Sequence, residues 1–198
     1  MTLPTVSVIV VSRDRPDALR RCLTGIAQLD YSNFEVVVVA DAAGLAVVPD
    51  TMKSVLCEVP NISVARNLGI ANAAGEVVAF IDDDAVPEPT WLTYLCEPFL
   101  DPNIAASGGF VIGRNGISFQ WKARMAFPDG SAVPMEVDPE KPTVLTGEPG
   151  RAIKTEGTNM AFRRARLVAL GGFDPAFAFY LDETDVNMRL AREGARIA

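Results

Sequence analysis

Two periodicities of apolar and polar positions divide the chain. Residues 6–11 form a β-branched apolar run broken only by Ser7, which predicts a strand buried on both faces. A polar loop follows, Ser12-Arg13-Asp14-Arg15, and then Pro16, a residue suited to a first helical turn. Leu19, Cys22, Leu23 and Ile26 recur at helical spacing. Residues 36–39 predict a second strand, closed by Asp41 and Gly44. Strand, helix and strand with short connections make a βαβ unit, so parallel pairing with a right-handed crossover is expected. Residues 63–74 predict a helix ended by Gly75, residues 77–81 a buried strand, and Pro87 and Pro89 open a helix over 90–99.

Beyond Ser107-Gly108-Gly109 the pattern weakens. Residues 110–112 read as a short strand. Residues 114–156, rich in Pro and Gly, read as a long, partly mobile segment, and long segments of this kind are often functional. Order returns at residues 157–162. A helix is expected over 164–170, stopped by Gly171-Gly172, and another over 182–193, with Gly194 at its end. The chain stops at Ala198, just after a strand start at Arg196-Ile197, and so reads as the N-terminal piece of a longer protein.

Composition narrows the classes. A length of 198 residues suffices for one sizeable core, and 49% hydrophobic with 22% charged residues is globular. No run approaches the roughly 18 apolar residues of a membrane span, and the first residues lack the basic and apolar regions of a secretory signal. The net charge of −7, from 18 basic and 25 acidic residues, disfavours general nucleic-acid affinity. Cys22, Cys57 and Cys96 form no CxxC pair and read as buried free thiols of a reducing cytosol. The absence of histidine excludes Ser-His-Asp triads, Cys-His dyads and histidine zinc sites within the chain, leaving acid–base work to carboxylates, Lys or Tyr.

The candidate chemistry is acidic. Asp82, Asp83 and Asp84 stand together at the end of the 77–81 strand, where they repel one another and resist desolvation. One of them can cap the helix near Pro87, but not all three. Carboxylate oxygens suit hard cations such as Mg²⁺ or Mn²⁺, which commonly serve phosphate-bearing substrates. Ser12 to Asp14 follow a strand and precede a helix, the place where doubly wound sheets bind ligands, although an ordinary turn with a capping Asp explains them too. No P-loop or GxGxxG pattern is present. Asp41 suits hydrogen bonding to a nucleobase or ribose, and equally a turn before Gly44. Asp182-Glu183-Thr184-Asp185 is the second dense acidic group, explained either by the dipole of a helix start or by a need for a base separate from the metal site.

In this order the pieces resemble the family 2 glycosyltransferases, whose nucleotide-diphospho-sugar transferase fold is called GT-A. The matching segments are VSVIVVSRDRPDAL (6–19), FEVVVVAD ending at Asp41, SVARNLGIANAAGEVVAFIDDDAVPEPTWL (63–92), GTNMAFRRARLVALGGFD (157–174) and LDETDVNMRLAREGARIA (181–198). The resemblance implies an α/β, three-layer α/β/α fold with a mixed, mainly parallel sheet. It implies one GT-A domain over 1–198, with a nucleotide-binding half over 1–100 and an acceptor and catalytic half over 101–198. The implied activity is inverting, metal-dependent transfer of a sugar from a nucleotide-diphosphate donor to an acceptor hydroxyl in glycan or polysaccharide biosynthesis, with a saccharide or lipid-linked acceptor. Such an enzyme is expected in the cytoplasm, or at the inner face of the membrane through regions beyond Ala198.

Residue by residue, the resemblance puts Ser12, Arg13 and Asp14 in the nucleotide pocket, Asp41 on the base, and Arg66 near the nucleotide or diphosphate. It makes Asp82 and Asp84 the D-x-D pair, with Asp84 binding Mn²⁺ or Mg²⁺ directly and Asp82 or Asp83 contacting ribose or metal-bound water. The family's catalytic aspartate aligns with Glu183, because its Glu-Asp order is here Asp182-Glu183, and either residue can be the base. After the second strand the chain has Ala40-Asp41-Ala42-Ala43 where the family often has Asp-Asp or Asp-Gly-Ser. The swapped pair also suits a non-catalytic nucleotide-sugar-binding module or an inactive fragment of a longer transferase. A nucleotidyltransferase of related fold would show a Gly-rich, basic opening loop, which this chain lacks.

Overall fold

In the computed structural model, which describes residues 2–138 and 141–198, β1 (Val6–Ser12), α1 (Pro16–Ile26) and β2 (Phe34–Ala40) form the expected βα unit with parallel strands. They are followed by α2 (Ala42–Leu45), β3 (Lys53–Leu56), α3 (Ile62–Asn72), β4 (Val77–Asp82) and α4 (Trp91–Cys96). A 3₁₀ turn, Glu97–Leu100, replaces the last turn of the helix expected over 90–99, because Pro98 cannot continue an α-helix. Then come β5 (Ile104–Gly108), β6 (Val111–Ile112), β7 (Phe119–Trp121), β8 (Arg124–Ala126), β9 (Ala132–Pro134), β10 (Leu145–Thr146), β11 (Ala152–Ile153), β12 (Met160–Arg163), α5 (Arg164–Ala169), α6 (Asp182–Arg192) and β13 (Arg196–Ile197).

Among the described residues the main sheet has eight strands in the order β10-β13-β5-β12-β4-β1-β2-β3. Only β12 and β10 run against the others, so the sheet is mixed and mainly parallel. Side chains along each central strand alternate between two helix layers. Val8 and Val10 of β1 pack with Leu19, Leu23 and Ile26 of α1 and Leu92 and Leu95 of α4. Ile9, between them, points the other way, to Ala65 and Ile70 of α3 and to Val186 and Leu190 of α6. The apolar run of β1 is therefore explained: both of its faces are interior. α3 rides close to the sheet at Gly69, where an added Cβ would lie 2.5 Å from Ile9 Cγ2.

Four strands of the main sheet, β3, β5, β10 and β12, escape the sequence pattern. β5 reads Ile-Ala-Ala-Ser-Gly, with little β-branched character, and is a strand because β12 and β13 pair with it. The segment 114–156 carries β7 to β11, most of it in two small antiparallel sheets, β11-β8-β9 and β6-β7. Residues 139 and 140 of that segment lie outside the described residues.

Candidate functional site

Parallel pairing brings the carboxyl ends of β1, β2 and β4 side by side: Ser12 opposes Ala40, and Val11 opposes Asp82. The loops leaving these strands build one face of the site. Asp83 is fully buried, and it ties two of the loops together. Ser12 Oγ donates to its Oδ2 at 2.6 Å, and Arg15 Nη2 lies 2.8 Å from its Oδ1. Burial pushes the Asp83 carboxyl up, against the hydrogen bond from Ser12 and the Arg15 charge. Asp83 and Ser12 thus brace the site from inside.

Asp41 does the same for the neighbouring loop. It caps α2, its Oδ1 accepting from the Gly44 amide at 2.8 Å, and its Oδ2 accepts from the Asp14 amide at 2.9 Å. These amide hydrogen bonds hold its carboxyl below the usual aspartate range. Asp14, at φ 58°, is in the left-handed region that Asp tolerates, and its exposed side chain turns outward. Arg13 Nη1 donates to the Glu58 carbonyl at 3.0 Å. The turn-forming role of Asp41 is therefore realised, and the loop Ser12–Arg15 is held by both acids.

Asp84 is partly exposed and meets two guanidinium groups, Arg15 at 3.3 Å and Arg114 at 3.0 Å. Asp82 has no hydrogen-bond or ion-pair partner for its carboxylate among the described residues. Burial pushes its carboxyl up, opposed by Arg66 and reinforced by the charges of Asp84 and Glu183. The two acidic groups of the sequence, a hundred residues apart, thus lie within each other's field. Among the described residues no three His, Cys, Asp or Glu side chains gather into a metal cage. Two carboxylates beside an open strand end fit a Mg²⁺ or Mn²⁺ that keeps waters and binds substrate phosphates, and Asp82, which feels Arg66 and Arg15 only at a distance, is the observation that favours a cation there.

Asp182 and Glu183 open α6 and face different surroundings. Asp182 is 2% exposed and ion-paired with Arg66, itself 3% exposed. The Arg66 guanidinium also lies 5.8 Å and 5.3 Å from the ring centres of Phe80 and Phe173. The structure places Arg66 beneath the site, where it anchors α6. Burial pushes the Asp182 carboxyl up to about 6 in spite of Arg66, with the Glu183 charge adding to the rise. The Glu183 side chain is 13% exposed, and its Oε1 lies 3.0 Å from Lys154 Nζ. Burial alone would raise its carboxyl, but the Lys154 charge and hydrogen bonding with Asp182 hold it below the usual glutamate range. Lys154 also lies 2.9 Å from Glu156 Oε2 and lines a cavity of about 400 Å³ with Phe110, Lys122, Met135 and Lys141.

Lys154, Glu156, Arg15 and Arg114 are the site residues that sequence reasoning missed. Arg15 was within reach, being part of the polar loop after β1. The three cysteines are free and buried, and burial together with the aspartate charges pushes the Cys22 thiol up to about 12, so it is inert.

This fold has solved counterparts. A mannosyltransferase from Pyrobaculum calidifontis, determined with GDP-Man and Mn²⁺, superposes with a TM-score of 0.71 at 22% identity, over 100% of this chain and 55% of that one. S. aureus TarS superposes with a TM-score of 0.72 at 24% identity, over 98% of this chain and 34% of that one. The fold is GT-A, the architecture of nucleotide-diphospho-sugar transferases. The sequence profile described as glycosyl transferase family 2 matches residues 7–167, and the chain belongs to that family. Curated relatives include the O-antigen biosynthesis protein RfbC of Myxococcus xanthus, 26% identical over 98% of this chain and 16% of that protein. Another is the glucosyl-dolichyl phosphate glucuronosyltransferase of Haloferax volcanii, 28% identical over 85% of this chain and 56% of that protein. The chain therefore spans 16% and 56% of the lengths of these two relatives. Among the described residues no helix is long and apolar enough to cross a membrane.

Proposed function

We propose that this chain carries the donor-binding and base-bearing part of a metal-dependent, inverting glycosyltransferase of glycan or polysaccharide biosynthesis, acting at or near the cytoplasmic face of a membrane. The donor is a nucleoside-diphosphate sugar, consistent with the GDP-Man and Mn²⁺ of the structural neighbour. The acceptor is a saccharide or lipid-linked hydroxyl, in keeping with the name of the dolichyl-phosphate relative. The observation that carries this reading is that Arg66, paired with Asp182 at the start of α6, also acts on Asp82 at the end of β4, so the two acidic groups share one buried cation.

The loop Ser12–Asp14, held by Asp41 and Asp83, offers amides and side chains to the nucleotide. Asp82 and Asp84 would hold a Mg²⁺ or Mn²⁺, whose charge offsets that of the departing diphosphate. Of the two base candidates, Glu183 fits better: its carboxylate is ionised at neutral pH and reachable, whereas Asp182 is enclosed with Arg66. Glu183 takes the proton of the acceptor hydroxyl while the acceptor oxygen bonds to the anomeric carbon and the bond from that carbon to the diphosphate breaks. A single displacement of this kind inverts the anomeric centre. The segment 114–156 borders the acceptor side and helps exclude water, which would otherwise hydrolyse the donor.

Two variants test the reading. Asp84→Ala is expected to abolish Mn²⁺-dependent stabilisation by nucleoside diphosphates while leaving the fold intact, since its ion pairs are exposed and contribute little. Glu183→Gln is expected to keep nucleotide binding and lose roughly 10²–10⁴-fold in transfer rate. Measured on the longer natural chain, full transfer by Asp84→Ala would sink the metal-dependent reading. Full transfer by Glu183→Gln would remove Glu183 as base. Donor binding with no turnover by the parent protein, across a wide acceptor panel, would favour a binding module.

A further inference from the structure

Glu183 does not stand alone behind the site. Lys154, just after β11, points its ammonium between two carboxylates, Glu183 Oε1 at 3.0 Å and Glu156 Oε2 at 2.9 Å. The three side chains are 8–13% exposed. The lysine is held in register from both sides. Its amide donates to the Arg124 carbonyl at 2.9 Å. The next residue, Thr155, accepts at Oγ1 from Asn187 Nδ2 at 2.8 Å. Asn187 lies four residues beyond Glu183, on the same face of α6, and it is fully buried. The lysine-bearing segment and the helix that carries Glu183 are therefore clamped together at two points one turn apart. Arg124 Nε, 3.5 Å from Glu156 Oε1, extends the line of charges.

We propose that Lys154 is a positioning residue for Glu183, fixing the orientation of its carboxylate and keeping it ionised, with Glu156 as the lysine's standing counter-ion. This rests on the reading of Glu183 as the base. The second glutamate has a physical reason. When Glu183 takes the acceptor proton its charge disappears, and a buried ammonium paired with it alone would be left uncompensated. Glu156 keeps Lys154 paired before and after the transfer, so the lysine need not move or lose its own proton. The other groups around Glu183 are Asp182 on α6, whose hydrogen bonding with Glu183 also favours its ionised form, Asp82 at the end of β4, which feels the Glu183 charge, and Arg66 on α3, which pairs with Asp182. Among the described residues Lys154 is the cation in direct contact with Glu183, and its removal takes away the charge that most opposes the effect of burial on that carboxylate.

The test reads the carboxyl directly and needs no substrate. Protein labelled with ¹³C at glutamate side-chain carboxyls is titrated by NMR, the Glu183 signal being the one lost in Glu183→Gln. In the parent protein it should titrate below the usual glutamate range. In Lys154→Met the midpoint should move up, and Lys154→Arg should bring it back towards the parent value. Glu156→Gln, which leaves the lysine to Glu183 alone, should move it further down, and serves as the independent variant if Lys154→Met does not fold. In transfer assays the acid limb of the kcat profile of Lys154→Met should follow the titration, with roughly tenfold loss at low pH that narrows as pH rises. A Glu183 midpoint unchanged in both Lys154→Met and Glu156→Gln overturns the proposal. Undiminished transfer by Glu183→Gln overturns the base assignment instead, whatever the titrations show.

Discussion

Arg66 and Asp182 show how a single buried pair can govern a site it does not enter. Both side chains are nearly inaccessible, and Phe80 and Phe173 enclose the guanidinium. Removing one partner strands the other, at a cost of roughly 3–5 kcal/mol. Arg66→Met should therefore lower the unfolding free energy by that order at neutral pH. The Asp182 carboxyl already titrates at about 6 in the folded protein, above its ordinary 3.8. A carboxyl raised on folding binds its proton more tightly in the native state, so its contribution to stability is greatest below about pH 4 and is lost as pH rises through about 6. Without Arg66 that rise is larger, and the variant should be closer to the parent at pH 5 than at pH 8. Urea titrations at both pH values check this, and an equal deficit at the two would show that Asp182 is not the stranded charge. Arg66 was expected near the diphosphate; its side chain is buried with Asp182, and its charge reaches Asp82 from there. Its helix turns the side chain into the core, and only packing reveals that.

The central elements were legible for a simple reason: β1, β2 and β4 are buried on both faces, and their apolar runs say so. β5 and β12 were not, because residues such as Ala105, Ala106 and Ala161 carry no strand signature, and pairing alone makes them strands. The acidic clusters were legible as chemistry, since adjacent carboxylates need a cause. The Lys154–Glu183 contact was not, because it joins an irregular segment to a helix start 29 residues away, with no periodicity between them. Packing between elements is as specific as the site. Alanine at position 69 would normally favour a helix by about 1 kcal/mol over glycine. Here its Cβ would meet Ile9 Cγ2 at 2.5 Å, forcing α3 away from β1. Gly69→Ala should destabilise by roughly 1–3 kcal/mol. Combined with Ile9→Ala, which vacates the space, it should cost clearly less than the sum of the two single changes. Strict additivity in thermal or denaturant unfolding would mean that the helix does not rest on Ile9.

For the molecule as a whole, the site is a place where stability has been conceded to binding. Asp82 sits at the edge of the core with no partner for its carboxylate, in the field of Asp84 and Glu183, and burial raises its carboxyl. By the same linkage as for Asp182, a carboxyl raised on folding weakens the fold once pH exceeds its native titration. Asp82→Asn removes that charge and keeps the shape, so without ligand the variant should melt at the parent temperature or above it at neutral pH. With ligand the order should reverse. A nucleotide with Mn²⁺ at a hundred times its Kd stabilises the native state by about 2.7 kcal/mol. For a chain of this size that is a rise of roughly 5–11 °C in melting temperature. The parent should show this rise and Asp82→Asn should lose most of it, because one of two carboxylates available to the cation has gone. A panel of nucleoside diphosphates and their sugars, each with and without Mn²⁺, gives both halves of the comparison and sorts the bases at the same time. If Asp82→Asn melts several degrees below the parent without ligand, Asp82 has a structural role and the electrostatic argument for a cation at this strand end fails. If the variant keeps the full Mn²⁺-dependent rise, Asp84 holds the cation without it.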